Sequence, residues 1–177
     1  MIELLVVVAV LGILAVAVLS AINPIEQINR GKDTGSRSDA EQLIGAVDRF
    51  YTASGYYPWV TGATITPFNT AWAAVDATVW TDGTTAVLTK LSALGTAEIK
   101  ESFVNRITAS GYNTLYKYHK GDVGGSTYVC FLPKSSNFQT EAGNRCTAAG
   151  GLPSDFPSAG ACPAGCVASK LCYICLP

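Results

Sequence analysis

Glu3 is the only charged residue in an otherwise apolar stretch that runs from Met1 to Ile22. From Leu4 to Ile22 the only interruptions are small residues, among them Gly12, Ser20 and several alanines. At ~1.5 Å rise per residue such a run makes roughly 28 Å of helix, close to the ~30 Å hydrocarbon thickness of a bilayer. A carboxylate at the edge of that segment costs roughly 2.5–3.5 kcal/mol if it enters lipid, so it requires a function or a partner.

Two plainer readings compete. A cleaved secretory signal places Lys or Arg ahead of a shorter apolar core. Here the first basic residue is Arg30, although Ala15-Val16-Ala17 imitates a cleavage site. A simple single-span anchor fits the length but gives Glu3 no role. The stretch Ile2-Glu3-Leu4-Leu5-Val6-Val7-Val8, continued by Leu11, Gly12, Ile13, Leu14 and Ala15, resembles the N-terminal helix of type IV pilins and type II secretion pseudopilins.

That resemblance implies a lollipop-shaped α+β fold: a long N-terminal helix packed on a small antiparallel sheet. It also implies a structural subunit that waits in the cytoplasmic membrane and assembles into an extracellular pilus or pseudopilus. The implied partners are other copies of the chain, a prepilin peptidase, an assembly platform and a motor. In the family the peptidase cuts after a Gly that follows a basic leader, and about three residues precede the Ile-Glu pair. Only Met1 precedes it here, so the leader and about two mature residues are expected to be missing from this sequence. The resemblance gives Glu3 the task of facing a neighbour's N-terminal amine in the filament core. Such a buried pair sets axial register more than it adds net stability. Gly12, Ala15 and Ala17 would admit close helix approach, although small residues are also ordinary transmembrane composition.

After the span, Asn23-Pro24-Ile25-Glu26 reads as a helix restart, with Asn as N-cap and Pro at the first helical position. Pro24 lies about one turn later than the family's kinking proline. Gly31 and Gly35 weaken the helix, each by roughly 1 kcal/mol relative to Ala. Ser38-Asp39-Ala40-Glu41 is a capping box expected to open another helix. Leu43, Ile44, Val47, Phe50 and Tyr51 form its apolar stripe and Gly55 its stop. The chain thus divides into an apolar helix (1–22), an amphipathic continuation beyond a weak joint near 23–36 (23–55) and a head (56–177). A joint of this kind would let a filament subunit melt and lengthen; a plain loop between two helices is the simpler alternative.

In the head, Tyr56-Tyr57-Pro58-Trp59 is a second, weaker point of resemblance. A short helix is predicted over Thr84–Gly95 and another turn or two over Ile99–Ile107. Thr114–Lys120 and Ser126–Leu132 flank Gly121-Asp122-Val123-Gly124-Gly125 as a hairpin (near 114–132). Tyr116, Tyr118, Tyr128, Cys130 and Leu132 alternate on it, and that face is expected to cover the long helix.

The six cysteines are Cys130, Cys146, Cys162, Cys166, Cys172 and Cys175. An even number, gathered toward the end of a head outside the membrane, predicts disulfides in a tail (130–177) without regular structure. The sequence does not choose among the possible pairings; a Cys130–Cys146 bridge, were it formed, would contribute roughly 3 kcal/mol by loop entropy. Zinc is the rival for Cys162, Cys166, Cys172 and Cys175, with a gap between the pairs that is short for a ribbon. No βαβ pattern accompanies Cys172 and Cys175, which argues against redox catalysis.

Other chemistry is thin, and the chain is read as a non-enzyme without a cofactor. His119, the one histidine, falls on a predicted strand. No phosphate loop, nucleotide fingerprint or zinc-protease helix is present. Asp122, Glu141 and Asp155 are candidate calcium ligands but lie far apart. A net charge of −1 gives no strong nucleic-acid signal. The rival to a filament subunit is a membrane-anchored binding module with an adhesin-like head that does not polymerise.

Overall fold

The computed structural model describes residues 1–21, 23–61, 70–76, 78–93, 95, 97–121, 125–147 and 151–177. The chain is α+β. Two N-terminal helices, α1 (Ile2–Ala21) and α2 (Pro24–Ser54), precede β1 (Thr70–Ala74), α3 (Val87–Ser92) and α4 (Glu101–Ile107). There follow β2 (Leu115–His119), β3 (Thr127–Phe131), α5 (Ser136–Thr147), α6 (Ser158–Ala161), α7 (Cys166–Ser169) and β4 (Ile174–Leu176). The strands form one antiparallel meander in the order β1-β2-β3-β4.

Asn23 caps α2: its side chain accepts from the Glu26 amide at 3.3 Å, and Pro24 takes the first turn, where its missing N–H is not needed. Of the joint expected near 23–36, the interruption falls at its start, between the end of α1 at Ala21 and the Asn23 cap, whereas α2 runs through Gly31 and Gly35 without a break. Ser38 likewise lies in mid-helix, so its capping box opens nothing. An established helix adds one hydrogen bond per residue, and that cooperativity outweighs two glycines. α2 ends at Gly55, whose φ of 78° needs no Cβ and whose N–H donates to Tyr51 O at 2.8 Å. Farther on, α3 stops at Ser92, ahead of the predicted Gly95.

The core lies between α2 and one face of the sheet. Leu43, Ile44, Val47 and Phe50 pack there with Leu115, Val129, Phe131 and Ile174, joined by Trp59, Trp80, Leu88 and Phe103. Burial of each large side chain contributes roughly 1.5–3 kcal/mol. The hairpin forms with Leu115 opposite Phe131 and Tyr118 opposite Tyr128. Its loop residues 122–124, including Asp122, lie outside the described residues.

The face assignment is corrected. Leu115, Lys117 and His119 of β2 are buried on the helix side, whereas Tyr116 and Tyr118 are half-buried on the other. Tyr128, Cys130 and Cys175 join them in a second cluster with Phe156, Ala161 and Trp72. Both faces of the hairpin are therefore covered, and all five residues of β3 are buried. Alternation of aromatic residues could not distinguish the faces, because the covering layer comes from the tail. That tail is more ordered than expected: it contributes α5, two short helices and the fourth strand. Gly160 sits against the Trp72 ring so closely that a Cβ would fall 2.3 Å from Cδ2.

Candidate functional site

α1 is the feature of the molecule that its own fold does not explain. Its Ile2–Ser20 window has a mean hydropathy of 3.0 and none of it is buried. Leu4, Leu5, Leu11 and Ile13 are 72%, 70%, 59% and 71% exposed. Ile2, Val6, Val7, Val8 and Leu14 are exposed as well. An isolated helix this apolar is not a stable surface in water, and it needs a bilayer, other helices, or each in turn. By length and composition it can cross a membrane.

Glu3 occupies the first turn of α1, where the helix dipole favours a negative charge. It is exposed, as are the residues from Ile2 to Ser20. Gly12 stands in open space, with nothing within 4 Å of where a Cβ would be, and so leaves a shallow notch in the apolar surface. Ser20, the one neutral polar side chain of the run, donates its hydroxyl to Ala17 O at 2.8 Å. That internal bond lets it sit in an apolar environment without an unmet donor.

Pro24 starts the segment that fastens α1 to the head, and this fastening is polar. Glu26 accepts from the Ser136 amide at 2.8 Å. Asp33, with no exposed surface, accepts from the amides of Lys134 at 3.0 Å and Ser135 at 2.7 Å and from the Ser135 hydroxyl at 2.6 Å. These carboxylates of α2 thus satisfy amides at the start of α5 that no helical bond can reach. Arg37 pairs with Glu141 and lies 4.9 Å above the Phe138 ring. Asp39 pairs with Arg106 and accepts from the Tyr112 hydroxyl at 2.5 Å. Burial first, and then that hydrogen bond, hold the Tyr112 hydroxyl well above its ordinary pKa.

This anchoring set was missed from the sequence, where Asp39 was read as part of a cap. The signal was present in the spacing: Glu26, Asp33 and Arg37 recur at helical intervals on one side of α2. The head therefore grips α2 by charge near its start and by apolar packing from Ala40 onward.

All six cysteines are in disulfides, Cys130–Cys175, Cys146–Cys162 and Cys166–Cys172, and none is free. The Cys130–Cys146 bridge is corrected: Cys130 lies directly across the sheet from Cys175 on β4, with Cα atoms 4.0 Å apart. A strand that sequence reasoning did not find accounts for the difference. The four candidate zinc ligands fall into three different disulfides. Of the calcium candidates, Glu141 is taken by Arg37, and Asp155 accepts from the Ser126 amide and the Tyr128 hydroxyl. His119 is packed rather than at the surface: its ring centroid is 4.7 Å from Tyr57 and its Nδ1 accepts from Gly121 N at 2.9 Å. No family model matches the chain, and no match was found among curated proteins or solved structures.

Proposed function

We propose that this chain is a structural subunit of a filament of the type IV pilus or pseudopilus kind, without catalytic activity of its own. The observation that carries the reading is α1: a helix of membrane-spanning length, wholly uncovered by its own head, with a single carboxylate in its first turn. Before assembly the helix lies in the cytoplasmic membrane; afterwards it is buried among identical helices and the head faces outward. Glu3 provides the register. In a low-dielectric core an unpaired carboxylate is strongly penalised, so the helices dock where Glu3 meets a cation, in this family the N-terminal amine of a neighbour. Three disulfides accord with a head that ends in an oxidising compartment. A prepilin peptidase, an assembly platform and a motor are the partners this reading requires.

Glu3→Ala tests it. The variant is expected to reach the membrane at the wild-type level and to fall by an order of magnitude or more in the sheared surface fraction. Wild-type and variant chains in equal amounts on the cell surface would instead identify a membrane-anchored binding module that does not polymerise.

A further inference from the structure

We infer that a groove along α2 binds a linear acidic polysaccharide, with the sugar carboxylates on the cations of the groove and the sugar hydroxyls on the neutral donors between them. Two clefts open beside the helix. One, of about 520 Å³, lies between α2 and α4, with Ile99 and Phe103 as its apolar lining. The other, of about 470 Å³, lies between α2 and the turn at 111–113. Gln42 and Arg106 line both, so the two run into one another. Their common wall is one side of α2, where Lys32, Gly35, Ser38, Gln42 and Arg49 recur at helical intervals. From Lys32 to Arg49 this wall is roughly 25 Å long at ~1.5 Å per residue, which suits an extended chain better than a single ion.

The groove is cationic in a chain whose net charge is −1. Lys32, Lys100, Lys134, Arg49 and Arg106 line it, against the carboxylates of Asp39 and Glu98. Glu41, Asp48 and Glu101, on the same two helices, do not line it. Both lining carboxylates are engaged: Arg49 donates to Glu98 at 2.7 Å, and Arg106 to Asp39 at 2.5 Å. An arginine has five N–H donors in a planar fork, so each is oriented by one carboxylate and keeps donors for another. The three lysine ammoniums are exposed and, among the described residues, have no partner within the chain.

The walls are set before a ligand arrives. A Cβ on Gly45 would lie 3.2 Å from Arg49 Nη1, so the guanidinium rests over the glycine, one turn back along α2. Across the groove Asn113 donates to Ser36 at 3.2 Å and to Leu132 O at 3.0 Å, and the Tyr112 hydroxyl donates to Asp39. Such fixed walls limit the ordering cost of binding.

Other linear polyanions fit less well. Single-stranded nucleic acid needs aromatic faces for its bases. Here Phe103 is buried with Arg106 5.3 Å above its ring, and Tyr112 is half-buried with its hydroxyl engaged. An acidic peptide gains from a free strand edge, and this groove is walled by helices and turns. Ser38, Gln42 and Ser102 are exposed and offer hydroxyl and amide groups between the cations, as sugar hydroxyls require. Binding here does not depend on filament assembly.

The test uses the full chain in micelles of an uncharged polyoxyethylene detergent and follows the fluorescence anisotropy of labelled oligogalacturonate, a linear chain of uronic acids. Saturable binding that weakens as salt rises is expected, and a neutral oligogalactose of equal length should not bind. Lys100→Gln with Lys134→Gln breaks no bond within the chain and should weaken affinity by on the order of tenfold. Lys120→Gln with Lys170→Gln removes the same charge outside the groove and should change it by less than about twofold. Gln42→Trp fills the junction of the clefts without altering charge and should weaken binding by on the order of tenfold, in a head whose thermal midpoint matches the parent's. Absence of saturable binding at low salt overturns the assignment, as does equal weakening in the two lysine pairs or unimpaired binding in Gln42→Trp. Tighter binding of an oligothymidylate or an oligoglutamate of the same charge also overturns it, and gives the groove to a nucleic acid or an acidic peptide.

Discussion

Asp33 holds the first turn of α5 against α2, and its environment leaves few alternatives to a carboxylate. It accepts from three donors, two amides and a hydroxyl, and is fully buried. Removing it strands those donors where water does not easily reach them. Asp33→Ala is expected to cost about 3 kcal/mol, read as faster hydrogen exchange at Lys134 and Ser135 than at the amides of β3. Equal protection in variant and parent would remove Asp33 from the account. Two other carboxylates bear on how the head responds to acid. The Lys90 ammonium, followed by the Thr85 amide, holds Asp82 well below its ordinary pKa, and the Ser126 amide lowers that of Asp155. Folded values depressed in this way give stability that is fully present above the unfolded pKa, about 3.9, and lost as pH falls through the folded value. Thermal midpoints should thus hold from neutrality down to about pH 4 and decline below it, less steeply in Asp155→Asn. A midpoint unchanged at about pH 2 would show that neither carboxylate is linked to folding.

At the scale of elements, what was legible in the sequence is what has a local cause. Asn23-Pro24, the apolar stripe from Leu43 to Phe50, the stop at Gly55 and the hairpin strands all follow from residue type and spacing, and all appear. What was not legible depends on distant partners. β4 is three residues long and exists by pairing with β3 and by the Cys130–Cys175 bridge, neither of which leaves a local pattern. β1 pairs with β2 across a register irregularity. The buried side of the hairpin was misread for the same reason, since Phe156 and Ala161 cover the tyrosine face from the tail. Gly31 and Gly35 show local propensity overridden, because both stand in a continuous helix with open space where a Cβ would go. Replacing both by Ala should therefore stabilise the start of α2 by about 1 kcal/mol each, measured as slower amide exchange around residues 30–36. Faster exchange there would mean that the glycines meet a packing need the isolated chain does not display.

The molecule as a whole separates two jobs. Its head is closed on both faces of the sheet, tied by three disulfides and fixed to α2 by charge and by packing. Among the described residues, nothing buries its first helix over Ile2–Ser20. The same division made the candidate site readable early: Glu3 and the apolar run are a continuous local pattern, whereas the polar grip on α2 emerged only with the folded head. A rigid head on an uncovered helix is what a subunit needs if its solvent changes from lipid to other copies of itself. Cryo-electron microscopy of fibres sheared from cells expressing the chain tests that claim most directly. The account predicts thin helical filaments built from this chain, with α1 in the core and each Glu3 within hydrogen-bond distance of a neighbour's cation. Filaments in which α1 lies outside the core, or a chain that stays wholly in the membrane fraction while fibres are absent, would contradict it.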